Sequence, residues 1–163
     1  MKPGKKTLLA AAFSALALLG AWIFVRSEAD RIRERFDKAA ELLRREADDT
    51  SMEVLAKAEK LSGFMVPEGF TIGVKDHGSV KFGSRGDATR MILAVTEGSN
   101  AAIRISFGDL EIITEGSEAF VKGTVDCSGS DPSFALPPPL KRAFSARLVK
   151  EDGEWLFSTI AVE

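Results

Sequence analysis

The most apolar stretch of the chain lies near its N-terminus. Residues 7–25, TLLAAAFSALALLGAWIFV, carry no charged side chain, and residues 1–6 supply three lysines before them. A helix of this length rises roughly 28 Å, close to the ~30 Å hydrocarbon core of a bilayer. The pattern predicts a transmembrane anchor at 7–25 behind a cytoplasmic basic stub at 1–6. The lysines place the remainder of the chain outside the cytoplasm.

A cleaved signal peptide is the alternative interpretation of the same stretch. The stretch Ser27-Glu28-Ala29 supplies small residues, Ser27 and Ala29, at the spacing that a signal peptidase needs. Arg26 and Glu28, however, place charges inside that motif, and the apolar run is longer than a signal peptide requires. We therefore expect a retained single-pass anchor in the cytoplasmic membrane, followed by one domain over residues 27–163.

Helical periodicity organises the first part of that domain. Residues 27–48 carry apolar residues at helical spacing among dense alternating charges. In the next helix Thr50 and Glu53 match a capping box, and Pro67-Glu68-Gly69 predicts its end. A third helix is predicted in GDATRMILAVTEGSN, with Asp87 as its cap. The predicted apolar faces are Ile32, Phe36, Ala39, Ala40 and Leu43; Val54, Leu55, Ala58, Leu61 and Phe64; and Ala88, Met91, Ile92 and Val95.

Alternating patterns predict strands from Phe70 onwards. FTIGVKD and SVKFG are two short strands joined by a tight turn. In AIRISFGDLEII the apolar positions change from odd to even numbers, which predicts a β-bulge near Gly108-Asp109. Residues 128–139 form a Pro-rich loop, which we expect to be the least ordered part of the domain. That loop either packs on the surface or forms a lip beside a pocket. The apolar face of AFVKGTVDCSG is predicted to hold Ala119, Val121, Val125 and Cys127.

The sequence RLVKEDGEWLFSTIAVE predicts a final β-hairpin, because Asp152-Gly153 is a strong signal for a two-residue turn. Counting outward from this turn pairs Leu148 with Phe157. Their face is almost wholly apolar, so it must meet the helices. On that face the same register places Ala146 opposite Thr159 and Phe144 opposite Ala161.

The other face of the hairpin is half apolar, which is unusual for a surface in free water. Its predicted pairs are Val149 with Leu156, Arg147 with Ser158, Ser145 with Ile160, and Ala143 with Val162. An apolar strip on the outside of a sheet is suited to a two-fold dimer or to a different protein partner. The predicted strip consists of Ala143, Val149, Leu156, Ile160 and Val162.

Composition limits the chemistry that this domain can perform. The net charge is −2, so no nucleic-acid partner is predicted. The single cysteine, Cys127, excludes an intramolecular disulfide and a zinc site built on cysteine pairs. There is no tyrosine, and the only histidine is His77, predicted to be an exposed turn residue. Asp109 is expected to face Lys122 across a hairpin, and Asp126 is the remaining candidate for a pocket acid. We predict no catalytic residue, metal site or cofactor.

The order of elements resembles the nuclear transport factor 2-like (NTF2-like) superfamily, which includes SnoaL-like cyclases and ketosteroid isomerases. The resemblance covers residues 30–163 and rests on GSRGDATRMILAV before the long strands and RLVKEDGEWLFSTIAV at the end. It implies an α+β fold, in which three helices pack on a curved, mostly antiparallel sheet that forms a cone around an apolar pocket. The residues expected to line that pocket are Leu61, Phe64, Val121, Val125, Phe144 and Phe157.

The resemblance does not imply one function, because a fold hosts many. The phenolic oxyanion donor of the isomerases cannot be carried over, since the chain has no tyrosine. We therefore expect a membrane-anchored, extracytoplasmic and non-catalytic domain that binds a partner protein or a small apolar ligand. The alternative is a SnoaL-like isomerase or cyclase that acts by proton abstraction.

Overall fold

One six-stranded sheet and three helices make up the part of the chain that the computed structural model describes, residues 27–97, 102–129 and 140–163. The helices are α1 (Glu28–Leu43), α2 (Ser51–Ser62) and α3 (Arg85–Glu97). The strands are β1 (Thr71–Val74), β2 (Gly78–Lys81), β3 (Ile103–Glu115), β4 (Glu118–Gly129), β5 (Leu140–Glu151) and β6 (Glu154–Val162). Their order in the sheet is β2-β1-β6-β5-β4-β3, and only β1 and β6 pair in parallel. The predicted α+β class and its mostly antiparallel sheet are confirmed.

Two predictions fall on residues that the structure does not describe. The anchor at 7–25 lies wholly outside the described ranges, as do residues 130–139 of the predicted loop. Ser128 and Gly129, also assigned to that loop, belong to β4. Among the helices of the described ranges, none has the length and apolarity to cross a membrane.

The second helix has the predicted cap, and both of the first two helices end earlier than predicted. Ser27 caps α1, and Thr50 and Glu53 form the expected capping box of α2. Helix α1 stops at Leu43 rather than near 48, because Arg45 pairs through its backbone with Ile103 at N–O distances of 2.8 and 2.9 Å. Helix α2 stops at Ser62 for a similar reason. The residues after it, 64–66, hydrogen-bond to the backbone of Phe157, so Phe64 is not on the helix.

The cap predicted for the third helix was wrong by three residues. Helix α3 begins at Arg85, and the Ser84 side chain accepts a hydrogen bond from the Asp87 backbone N–H at 3.2 Å. Ser84 is therefore the N-cap residue. Asp87 lies in the first turn, where its negative charge interacts favourably with the helix dipole. Ala88 is buried, and Met91 and Ile92 pack against the core, as expected. The side chain of Val95 is outside the described set.

The bulge predicted in β3 is confirmed. Gly108 lies opposite Thr124 and Glu111 lies opposite Lys122, so β3 has one residue more than β4 between them. Asp109 takes a φ of 53°. Across the ladder, the backbone and side chains around Gly123 are too close for any residue with a Cβ. A Cβ at Gly123 would come within 2.7 Å of the Gly108 carbonyl oxygen and 2.8 Å of Leu110 Cδ2. The bulge and this close approach bend the sheet.

The predicted ion pair between Asp109 and Lys122 was wrong, and the bulge is the cause. The extra residue turns Asp109 away from the position opposite Lys122, which Glu111 takes instead. Asp109 accepts a hydrogen bond from Thr124 at 3.1 Å and pairs with Lys141 at 3.4 Å.

The final hairpin has the predicted turn but a different register beyond it. Asp152 and Gly153 both have positive φ angles, and Leu148 lies opposite Phe157 as expected. The register then shifts, because Ser158 is an extra residue in β6 and forms a second bulge. The observed pairs beyond it are Arg147 with Thr159, Ala146 with Ile160, Ser145 with Ala161, and Phe144 with Val162.

This second bulge changes which face two apolar residues occupy. Ile160 and Val162 lie on the same face as Ala146 and Phe144, and they pack against the hydrophobic core. The predicted outer strip of five apolar residues was therefore wrong, since two of its members point inward.

An aromatic cluster joins α1 to the sheet. Phe36 of α1 is fully buried, and its ring centroid lies 5.2, 5.6 and 5.0 Å from those of Phe107, Phe144 and Phe157. Phe157 is 3% exposed, which confirms that its face of the hairpin meets the helices. The centre of the concave face is thus filled by a side chain of the protein itself.

Candidate functional site

The helix-facing side of the sheet has two ends of different character. We call one the tip end, where the turns Gly116-Ser117 and Asp152-Gly153 meet the start of α1. There Glu28 accepts a hydrogen bond from Trp155 Nε1 at 2.7 Å and pairs with Lys150 at 3.0 Å. The other is the far end, where β3 and β5 begin and β4 ends.

Six side chains form a surface on the helix-facing side of the far end, between the buried ring of Phe144 and buried Ile103 at the start of β3. They lie in two rows across β3, β4 and β5, and alternation along each strand puts them on the face that Phe144 and Val121 share. Five are apolar and half-buried, and the sixth is exposed Arg142. This far-end surface consists of Phe107, Val125 and Arg142 in one row and Ile105, Cys127 and Leu140 in the next.

Burial changes along the same face from one end to the other. Ala119 and Leu148, nearer the tip end, are completely buried, and Val121 is 1% exposed. Two residues beyond Val121, Gly123 supports the buried ring of Phe144; beyond that row no apolar side chain of β4 is fully buried. The far-end surface therefore retains apolar area that the protein core does not use.

The structure separates the six residues that we expected to line a pocket. Leu61, Val121, Phe144 and Phe157 are buried together in the core cluster, and their role as ligand contacts remains a prediction. Only Val125 belongs to the half-buried far-end surface.

The sixth of these residues, Phe64, lies at the tip end. It forms part of a cleft of about 350 Å³ between α1 and the final hairpin. The guanidinium of Arg35 lies 4.5 Å from the Phe64 ring centroid and forms an ion pair with Glu154. These contacts hold the cleft together by charge and stacking, unlike the apolar far end.

The carboxylates and the histidine that were candidates for proton transfer lie away from the far-end surface. Asp126 lies on the opposite face of β4, in register with Ser106 and Lys141, and Asp109 is exposed. His77 is exposed in the β1–β2 turn, as predicted. Among the described positions of β3 to β6 that face the helices between the hairpin tips and Leu140, none carries a carboxylate or an imidazole.

Cys127 is the only thiol in the chain, and it lies on the far-end surface. Burial raises its pKa, and the neighbouring charge of Asp126 raises it further. The thiol is therefore protonated near neutral pH and is a weak nucleophile. No group of three or more metal-binding side chains occurs in residues 27–97, 102–129 and 140–163.

Sequence reasoning missed Arg142 as part of this surface. The signal was present in β5, where Leu140, Phe144, Ala146 and Leu148 alternate on one face and Arg142 occupies the position between the first two. A charged residue inside an apolar alternation indicates either the end of a core or a polar contact within a site.

Comparison with solved structures shows what the chain is similar to. A Mycobacterium tuberculosis protein of unknown function matches with a TM-score of 0.64 and 16% identity, over 90% of this chain and 74% of that one. A scytalone dehydratase-like protein from Novosphingobium aromaticivorans matches with a TM-score of 0.63 and 15% identity, over 83% of each chain. The hexachlorocyclohexane dehydrochlorinase LinA-type3 from Novosphingobium barchaimii gives a TM-score of 0.63 and 12% identity, over 84% and 86%.

No protein-family model and no curated protein matches the sequence. Identities this low establish the fold and leave the activity open. An NTF2-like protein with a cystatin-like fold is among the similar structures, with a TM-score of 0.60. The described part of the chain has the NTF2-like fold, a cone of three helices on a mixed sheet.

Proposed function

We propose that this protein is a membrane-anchored, extracytoplasmic binding domain that takes a small apolar ligand at its far-end surface and performs no catalysis. The apolar run at 7–25 supports the anchor, and the three lysines before it support the orientation. Helix α1 starts at the tip end only a few residues after that run. In this arrangement the tip end lies toward the membrane and the far end points away from it, accessible to ligand.

The observation that carries the binding role is the half-buried apolar surface of the far end. Apolar side chains within the hydrophobic core are completely or almost completely buried, as Val121 and Leu148 are. Phe107 contacts the buried rings of Phe36 and Phe144, yet its side chain is only half-buried. Ligand sites of this kind are mainly apolar and aromatic, with few polar groups. The name of one similar structure, a hexachlorocyclohexane dehydrochlorinase, is consistent with small apolar ligands in this fold.

A catalytic role by proton abstraction is disfavoured, because the described part of the far-end surface holds no carboxylate or imidazole that could act as a base. Such a reaction needs a titratable group within hydrogen-bond reach of the substrate. Among the described residues, the far-end surface offers only the protonated thiol of Cys127 and the guanidinium of Arg142. We therefore propose binding in preference to the isomerase or cyclase alternative.

Protection of Cys127 from alkylation tests the binding role. The full chain in phosphatidylcholine nanodiscs is treated with iodoacetamide while the concentration of octan-1-ol is raised. Binding at the far end should slow alkylation in a saturable way. Val125→Asp should abolish this protection, whereas Ser128→Asp, on the opposite face of the same strand, should preserve it. Alkylation that no concentration of octan-1-ol slows would contradict the proposal.

The anchor and its orientation need a separate test. The protein should remain in the membrane fraction after extraction with alkaline carbonate. A reporter enzyme that works only outside the cytoplasm should be active when fused after Glu163. Release of a soluble chain that begins near Asp30 would show cleavage of a signal peptide instead.

A second role, homodimerisation through the outer face of the sheet, is favoured by two exposed side chains. Ile113 and Phe120 lie directly opposite each other on β3 and β4 and are 61% and 43% exposed. Half-buried Val149 lies on the same face of β5. This patch replaces the strip predicted from sequence, because it does not depend on Ile160 and Val162.

Sedimentation equilibrium of the full chain in density-matched detergent would measure the association. We expect Phe120→Asp to weaken a dimer at least tenfold, whereas Thr114→Asp, exposed on the other face of β3, should not. A monomer at all concentrations would exclude this interface.

A further inference from the structure

We propose that the far-end surface selects an amphipathic carboxylate, whose apolar chain lies on Val125 and Phe107 and whose carboxylate binds Arg142. This inference rests on the proposed binding role and adds to it the chemical class of the ligand. The observation behind it is that Arg142, which has no charged partner among the described residues, lies on the same face of three neighbouring strands as apolar side chains that are only half-buried.

The register places Arg142 beside the apolar residues without any assumption about its rotamer. Arg142 lies directly opposite Val125, and Val125 lies directly opposite Phe107. Side chains at directly paired positions have Cβ atoms about 4.5–5.5 Å apart. A ligand chain on Phe107 and Val125 therefore reaches Arg142 by continuing along the row.

The state of charge pairing distinguishes Arg142 from the other bases of β5. Lys141 pairs with Asp109 at 3.4 Å, Arg147 with Glu118 at 2.6 Å and Lys150 with Glu28 at 3.0 Å. Arg142 makes no ion pair or hydrogen bond with any residue in the described ranges.

The positions of the nearby acids explain why none of the described ones pairs with Arg142. Asp126 is close in sequence register but lies on the outer face, opposite Lys141. Glu163 comes alongside the strand through a backbone hydrogen bond to Ala143 but forms no ion pair with Arg142. Within residues 27–97, 102–129 and 140–163, no acid therefore occupies the donors of Arg142, and they are available to an incoming anion.

A carboxylate is the anion that fits best. The planar guanidinium presents paired N–H donors that match the two oxygens of a carboxylate, and such charge-assisted bonds are roughly twice as strong as neutral ones. A neutral apolar ligand would cover Val125 and Phe107 but would leave this group without a partner. The site should therefore prefer a carboxylate over an alcohol of the same chain length.

Cys127 gives a site-specific readout of this preference, because it is the only cysteine and lies in the next row of the surface. The full chain in phosphatidylcholine nanodiscs is alkylated with iodoacetamide at mildly alkaline pH, in the presence of octanoate or of octan-1-ol. Each variant is compared with the unaltered protein in the same nanodiscs, so that partition of either compound into lipid cancels.

Arg142→Gln should raise the octanoate concentration needed for half-protection by about three- to tenfold, the range of an Arg–carboxylate bond that solvent weakens at an exposed arginine. Octan-1-ol should protect both proteins equally, and Arg142→Lys should be intermediate. The control is Arg104→Gln, which removes an exposed arginine on the opposite face of β3. It should change nothing. Because Arg142 is exposed, its substitution should leave the circular dichroism spectrum intact.

The outcomes separate this inference from the function on which it rests. Equal octanoate protection in the unaltered protein and in Arg142→Gln would overturn the role of Arg142. Protection by octan-1-ol but not by octanoate would overturn the carboxylate and leave apolar binding standing. Absence of protection by either compound would overturn both proposals.

Discussion

The tip end and the far end of the sheet are built from the same strands but use charge in opposite ways. At the tip end, Glu28 binds both Trp155 and Lys150, and Arg35 joins Phe64 to Glu154. At the far end, Arg142 has no partner among the described residues and lies beside apolar side chains that are only half-buried. The tip end is held together by contacts within the chain, whereas the far end presents the surface for which we propose a ligand.

This difference indicates how one fold divides stability from binding. Buried apolar side chains and hydrogen-bonded polar groups stabilise a region. A binding site must instead leave some apolar surface and some polar groups available to a ligand. The aromatic cluster around Phe36 is the boundary, since it closes the core on the tip side and presents Phe107 on the far side. Substitutions on the two sides should therefore have effects of different kinds.

The largest expected effect is on the core side of this boundary. Phe36 is completely buried among three other rings, so Phe36→Ala should lower the free energy of unfolding by about 3–5 kcal/mol. Phe107→Ala removes a half-buried ring and should cost distinctly less, while weakening ligand protection of Cys127. Urea denaturation followed by circular dichroism would measure both. Equal costs for the two substitutions would show that the far end is as much a part of the core as Phe36.

A smaller effect is expected at the bend between the two ends. Gly123→Ala would push a methyl group against the Gly108 carbonyl and Leu110, and overpacking of this kind costs about 1–3 kcal/mol. Gly73→Ala is the matched control, because a Cβ there meets only ordinary contacts at 3.8 Å and beyond. It should be neutral or slightly stabilising. If the two substitutions cost the same in urea denaturation, the sheet does not depend on close approach at Gly123.

Local signals in the sequence predicted much of this fold. The capping box at Thr50, the Asp152-Gly153 turn and the bulge at Gly108-Asp109 each follow from a few neighbouring residues, and each is confirmed. The ends of α1 and α2 were mispredicted because they are set by pairing with distant strands at Ile103 and Phe157. Such pairings overrule helical periodicity and cannot be derived from the segment itself.

The second bulge, in β6, could also have been predicted from the pattern of apolar residues. In β6 the core residues are odd-numbered at Trp155 and Phe157 and even-numbered at Ile160 and Val162. The same change of phase identified the bulge in β3. Leu156 concealed it, because an apolar residue on the outer face allows the odd–even alternation to be continued past Ser158. For the candidate site the lesson is similar, since the apolar residues of β5 drew attention away from Arg142 between them.

The smallest expected effect concerns pH and the tip end. Hydrogen bonds from Lys150 and Trp155 hold the pKa of Glu28 below its usual value. Because the folded pKa is the lower one, Glu28 contributes stability above its unfolded pKa of about 4.3, and this contribution is lost as the pH falls through the folded value. Glu28→Gln should therefore flatten the loss of stability as the pH falls below about 4.3, with only a modest change at pH 7, since the Glu28 side chain is 39% exposed and solvent screens its contacts. Urea denaturation at a series of pH values would measure this difference. A Glu28→Gln profile that runs parallel to that of the unaltered protein would show that the contacts of Glu28 with Trp155 and Lys150 do not stabilise the tip end.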